Sequence, residues 1–168
     1  MKIEDDFLDQ EEFDKLQTLM MGENFAWYYS QTVTPYEGDK DNYQFFHLFY
    51  FFNRPQSDFF ESLQSTFEKI NLVSLSRVKA NLLTRTPEVI KNAFHVDITM
   101  SEEKLSQWTT SIFYVNTNNG YTEFETGEIV ESVANRMVTF PADLKHRGTS
   151  CTDEKTRVVI NFNYFGSK

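Results

Sequence analysis

The chain of 168 residues holds three histidines, and one of them stands two positions before an aspartate in "FHVDITM", residues 94 to 100. In an extended segment alternate side chains leave the same face, so His95 and Asp97 project together while Val96 turns to the other side. An imidazole nitrogen beside a carboxylate oxygen suits a divalent first-row metal. One more imidazole completes a facial set of two histidines and one carboxylate, which leaves coordination positions open for iron(II) oxygen chemistry. His146 in "LKHRGTS" is the candidate third ligand. The competing reading is an ordinary polar network on a barrel face, since an H-x-D pair is a short motif that also arises by chance.

Any such site needs elements that bring positions 95, 97 and 146 together. Asp9, Glu12 and the apolar series Phe13, Leu16, Leu19 and Met20 predict a capped helix over 9–21. The stripe Phe59, Phe60, Leu63, Phe67 and Ile70 in "PQSDFFESLQSTFEKI" predicts a second helix opened by Pro55 and Ser57. "FAWYYSQTV" and "YQFFHLFYFF" read as strands joined by the polar loop "PYEGDKDN". From Leu72 onward the pattern is nearly all β: "LVSLSRVKANLL", "AFHVDI", "QWTTSIFYVNT", "YTEFE", "EIVESV", "RMVTFP" and "RVVINFNYF". Short strands at this spacing, with Asn-Gly turn chemistry in "NNG", suggest a sandwich, jelly roll or barrel carrying flanking helices.

Composition narrows the rest. Aromatic residues make up 16% of the chain, with 17 phenylalanines, as expected for a β-rich core of flat side chains. No linker or repeat divides residues 1–168, which read as one domain. A net charge of −9 argues against a protein that coats nucleic acid or anionic membrane. The single cysteine, Cys151, excludes an internal disulfide, and "MKIEDDFLDQEEF" has no apolar signal core, so the chain reads as cytoplasmic. Cys151 has no base beside it in sequence, which disfavours a nucleophile. His47, among aromatics, reads as a hydrogen-bonded core residue rather than a ligand. Trp27, Tyr36 and Arg85 are candidates for a substrate entrance, against aromatic core and solvated arginine.

The order of elements after the pair is more specific than the pair. A strand, "NGYTEF", "ANRMVTFPADLKHRG" and finally "TRVVINFNYF" follow in turn. This series resembles the 2-oxoglutarate and iron(II)-dependent dioxygenases, in particular the small prolyl-hydroxylase-like branch and its relatives encoded by tailed phages. The resemblance covers nearly the whole chain and implies a double-stranded β-helix, a cupin-like jelly-roll barrel whose mouth holds the metal. It implies that His95, Asp97 and His146 are the catalytic metal ligands. It also implies that Arg157 grips a carboxylate of the cosubstrate, helped by the Thr122 hydroxyl. A forked guanidinium suits that task through paired charge-assisted hydrogen bonds. "KANLL" resembles the Asn-x-Tyr strand by which the nucleic-acid demethylase branch holds the cosubstrate, with Asn81 in the place of Asn and Leu83 where Tyr would stand. Arg157 departs from the lysine of many prolyl hydroxylases, which weakens proline as the substrate.

The resemblance implies iron(II), 2-oxoglutarate and O2 as cofactor and cosubstrates, succinate and CO2 as coproducts, and hydroxylation or oxidative demethylation of a further substrate. Overall acidity favours a peptidyl or small-molecule substrate over nucleic acid, although "RVKANLLTR" clusters Arg77, Lys79 and Arg85. The alternatives are a non-catalytic jelly-roll binding module and a cupin-like metalloenzyme that does not use 2-oxoglutarate. For a phage-encoded member the compartment would be the host cytoplasm.

Overall fold

The computed structural model describes residues 1–34, 42–99 and 101–166. Its elements in chain order are β1 (Lys2–Glu4), α1 (Gln10–Met21), β2 (Tyr28–Ser30), β3 (Gln44–Phe51) and β4 (Arg54–Pro55). A 3₁₀ turn (Phe60–Leu63), α2 (Gln64–Lys69), β5 (Leu72–Thr84) and α3 (Glu102–Leu105) follow. The chain then runs through β6 (Thr109–Tyr114), β7 (Tyr121–Phe124), β8 (Ile129–Glu131), β9 (Arg136–Pro141), β10 (His146–Gly148) and β11 (Thr156–Gly166). The large antiparallel sheet has the order β1-β9-β6-β11-β5-β3-β2, with β4 on β3, and faces a small sheet ordered β10-β7-β8. Two facing antiparallel sheets with this crossover pattern make a double-stranded β-helix. No helix among the described residues is long and apolar enough to cross a membrane.

The central strand β11 is buried on both sides from Arg157 to Tyr164, its neighbour β5 is partly buried, and their alternation separates two environments. Val78, Ala80, Val158, Ile160, Phe162 and Tyr164 face the helices and pack with Phe13, Leu16, Met20 and Phe67. Burying side chains of this size stabilises the fold by roughly 1.5–3 kcal/mol each. The opposite face carries Arg77, Lys79, Asn81 and Leu83 on β5, and Arg157, Val159 and Asn161 on β11, all lining one cavity. The ladder sets them in pairs, Leu83 with Arg157, Asn81 with Val159, Lys79 with Asn161 and Arg77 with Asn163.

Several elements differ from what local pattern predicts. Asp9 stands before α1 but makes no capping hydrogen bond; it pairs with Lys69 at 3.1 Å, while Glu12 accepts from Ser65. The second helix is cut to the 3₁₀ turn and α2, because Pro55 is taken into the edge strand β4. "FAWYYSQTV" yields only the three residues of β2. The expected strand "AFHVDI" is reduced to an isolated bridge at His95. "NNG" does not close a hairpin, because β6 and β7 belong to different sheets. Gly120 does not occupy the left-handed region either; Gly127, between β7 and β8, does at φ +99°. Gly120 is needed for space: a Cβ there would lie 2.6 Å from Arg157 Cδ and 2.7 Å from the Ser150 carbonyl oxygen.

Candidate metal centre

His95 and His146 are set by one antiparallel bridge. Each donates its N–H to the other's carbonyl, at 2.9 and 3.0 Å. Directly opposed residues project to the same side with Cβ atoms about 5 Å apart, so the two imidazoles emerge as neighbours, with ring centroids 4.9 Å apart. Two residues along, Asp97 comes to the same point. Its Oδ1 is 3.7 Å from His95 Nε2 and 3.9 Å from His146 Nε2, and one donor atom from each of the three side chains lies within 4.8 Å of the others. Val96 packs with Ile98, Leu105 and Ala142 under the bend.

The protonation states suit a cation. The Ala93 carbonyl lies 3.1 Å from His95 Nδ1. A carbonyl only accepts, so in the neutral ring Nδ1 carries the proton and Nε2 offers its lone pair to the centre. Burial pushes the His146 pKa down to about 4, against the opposing pull of Asp97, and keeps this imidazole neutral. Burial alone would raise the Asp97 pKa. The charge of Arg77, then the two imidazoles and the hydrogen bond from Asn161, outweigh it and hold the carboxyl well below the usual range. With both rings neutral, two imidazole lone pairs face an ionised, 4% exposed carboxylate. Three acceptors converging in a buried place are mutually unfavourable until a cation sits between them.

Asp97 is held from behind by groups that sequence reasoning missed. Asn161 Nδ2 donates to both carboxylate oxygens at 3.2 and 3.0 Å, and Asn163 Nδ2 donates at 3.2 Å. Arg77 makes an ion pair with Oδ1 at 3.1 Å and donates from Nε to Asn163 Oδ1, also at 3.1 Å. The signal was present in "VVINFNYF", where both asparagines fall on the same face as Arg157. The Asn161 Oδ1 atom is buried without a partner and lies on the cavity wall.

Arg157 sits further along the same face, 3% exposed. It donates from Nε to Ser132 Oγ at 2.9 Å and from Nη2 to Thr122 Oγ1 at 3.1 Å, and its Cζ lies 5.7 Å from the Tyr114 ring centre. Burial pulls its pKa down, and it has no carboxylate partner among the described residues. Tyr114 also donates to Thr122 Oγ1, at 2.8 Å. With two donors already on its oxygen, the Thr122 hydroxyl is left to give its own proton to a third group. Ser132 and Tyr114 were not legible as site residues, since a serine and a tyrosine on barrel strands carry no distinctive spacing.

One cavity of about 300 Å³ joins these parts. It is lined by His95, Asp97 and His146 at one end and by Thr122 and Arg157 at the other, with Asn81 and Lys79 along one wall. The Lys79 ammonium makes no hydrogen bond or ion pair among the described residues; its Nζ lies 5.2 Å from the Phe46 ring centre. Burial and the neighbouring charge of Arg77 push its pKa down to about 8. The remaining expectations fall outside this cavity. His47 is core, bonded at 2.7 Å to both the Ala26 carbonyl and Ser57 Oγ. Trp27 is half-buried against Phe25. Arg85 is exposed beside a second, adjoining cavity. Tyr36 lies outside the described residues. Cys151 is buried, and desolvation raises its thiol pKa.

No family model and no curated protein sequence matches the chain. Solved structures do. An oxidoreductase of the 2OG-Fe(II) oxygenase family from Burkholderia pseudomallei matches 96% of this chain and 84% of its own, with a TM-score of 0.63 at 9% identity. The viral collagen prolyl hydroxylase of Paramecium bursaria Chlorella virus-1, in its 2OG complex, matches 99% and 96%, with a TM-score of 0.58 at 14% identity. A prolyl hydroxylase from Trichoplax adhaerens, complexed with a peptide fragment of the hypoxia inducible factor oxygen degradation domain, matches 98% and 82%, with a TM-score of 0.59 at 12% identity. The chain has the fold of the 2-oxoglutarate oxygenases. At these identities the likeness is one of fold, and chemistry has to be argued from the side chains.

Proposed function

We propose that this protein is a 2-oxoglutarate- and iron(II)-dependent oxygenase of the hydroxylase type. The observation that carries the reading is the buried Arg157 guanidinium, which lacks an anionic partner among the described residues and shares one cavity with the His95, Asp97 and His146 cluster. A buried charge without a counterion is costly, and a dicarboxylate that spans the cavity removes that cost.

In this reading His95 Nε2, Asp97 Oδ1 and His146 Nε2 hold the metal on one face, and Asn161, Asn163 and Arg77 fix the carboxylate that completes it. Arg157 and the Thr122 hydroxyl grip the distal carboxylate of 2-oxoglutarate, and Ser132 and Tyr114 hold those two side chains in place. Asn81, on the wall between, is positioned to hydrogen-bond the same molecule. The bound metal with 2-oxoglutarate and O2 supplies the oxidation of a substrate C–H bond, releasing succinate and CO2. Lining by Ile112 and Val159 limits water near the reacting atoms. The primary substrate is a peptidyl group or a small molecule, supported by the acidic surface and by the peptide bound to the Trichoplax relative in fold.

The test is an anaerobic titration of manganese(II) with and without 2-oxoglutarate, followed by succinate measurement with iron(II), O2 and a broad panel of candidate substrates. The expected outcome is one metal per chain and 2-oxoglutarate binding that needs both metal and Arg157. Metal binding that survives the loss of His146, or no succinate from any combination, would refute the reading.

A further inference from the structure

The cavity is more cationic than metal and cosubstrate require. Among the described residues, Arg77, Lys79 and Arg157 face Asp97 as the sole acidic side chain on its lining, in a chain whose net charge is −9. An iron(II) ion and a dianionic 2-oxoglutarate cancel each other, so an excess of two positive charges remains after both have bound. Arg77 is committed to Asp97 and Asn163, and Arg157 lies where the distal carboxylate would be. Lys79 is the side chain left uncommitted, and the rest of the excess resides on the metal.

Its place in the ladder says which end of the cavity it serves. Lys79 is paired with Asn161, the residue that donates to both Asp97 oxygens, whereas Arg157 is paired with Leu83. Four residues of strand, about 13 Å at 3.3–3.4 Å each, separate the two positions, so the Lys79 backbone stands at the metal end, and its ammonium lies over Phe46, the residue opposite Asn81. A half-buried ammonium that makes no hydrogen bond or ion pair among the described residues and lies over an aromatic ring is poised for an anion that arrives from outside. The cavity of about 300 Å³ is at the low end of the range for ligand sites and must also take 2-oxoglutarate, so the group that enters is small.

We propose that Lys79 anchors a carboxylate of the primary substrate beside the metal, and that this substrate is a small carboxylic acid. The proposal rests on the oxygenase reading and adds the substrate class to it. A carboxylate at Lys79 has two sources, the primary substrate or the metal-chelating end of 2-oxoglutarate itself, and the test separates them.

The probes are N-acetylglycine, N-acetyl-L-proline and N-acetyl-L-aspartate, each beside its neutral amide, added to protein loaded with manganese(II) and 2-oxoglutarate under nitrogen. Binding next to the metal is read from paramagnetic broadening of the probe's proton resonances. The wild type is expected to bind at least one acid about tenfold or more tightly than its amide, the value of a charge-assisted hydrogen bond in a partly dry site. Lys79→Met should abolish that preference, Lys79→Arg should restore most of it, and 2-oxoglutarate affinity should stay within about threefold in both. The proposal is overturned if the wild type prefers no acid, or if the preference survives Lys79→Met. It is equally overturned if Lys79→Met weakens 2-oxoglutarate as Arg157→Met does, which would assign Lys79 to the cosubstrate. Failure of the oxygenase reading looks different: the wild type would then bind no 2-oxoglutarate. The acid preference would still be read on metal-free protein by saturation transfer, where its dependence on Lys79 decides the proposal separately.

Discussion

Replacing Arg157 by methionine separates stability from binding because the two should move in opposite directions. In the ligand-free protein the guanidinium is 3% exposed and, among the described residues, hydrogen-bonded only to the neutral Ser132 and Thr122 hydroxyls. Exchanging an unpaired buried charge for an apolar side chain of similar length should leave the ligand-free protein as stable as before or more so. With 2-oxoglutarate bound, the same exchange strips a buried carboxylate of its partner, which costs about 3–5 kcal/mol, a loss of roughly 150- to 4,000-fold in affinity. At a concentration of about 100 times Kd the wild type gains about 2.7 kcal/mol from the ligand, and the variant about 0.4 kcal/mol or less. For a chain of this size that becomes a rise in Tm of about 5–11 °C in the wild type against about 1–2 °C in the variant. The assay is thermal unfolding of manganese(II)-loaded protein with and without 2-oxoglutarate, paired with calorimetric titration. A variant that keeps the ligand-dependent rise, or whose ligand-free Tm drops by more than a few degrees, would refute the reasoning and make Arg157 a structural residue.

Three further outcomes follow from the same geometry. Asn161→Ala removes the amide that holds both Asp97 oxygens, and metal affinity, read by manganese(II) titration, should fall about 10- to 100-fold while the fold persists. Gly120→Ala drives a methyl group into Arg157 Cδ and the Ser150 carbonyl, so 2-oxoglutarate affinity should fall about tenfold or more with metal affinity unchanged, which calorimetry of each ligand checks. In metal-free protein His146 has a pKa of about 4 in the fold and about 6.5 when unfolded, so the unfolded chain binds the extra proton between those values. The contribution of His146 to stability should therefore fall by at most about 3 kcal/mol as pH drops through that window, and His146→Gln should reduce the slope in urea titrations, leaving the parts due to His47, whose pKa burial also lowers, and, toward the acid end, to carboxyls such as Asp97 whose pKa is held down.

Much of this arrangement is legible in the sequence. The H-x-D spacing placed His95 and Asp97 on one side of an extended segment, and the alternation in "RVKANLL" and "RVVINFN" set polar residues on one face of two strands and apolar ones on the other. Periodicity of two is a local property of the backbone, so the sequence alone determined which side chains travel together. It did not determine what they meet. The bridge that seats His146 beside His95, the amides of Asn161 and Asn163 behind Asp97, and the passage from β6 to β7 across sheets in place of an Asn-Gly hairpin all join residues far apart in the chain. Partner choice of that kind is made by register and sheet closure, through hydrogen bonds and packing summed over whole strands. Only the folded barrel therefore turned a common pair of residues into three acceptors around one point, with an unpaired guanidinium at the far end of the same cavity.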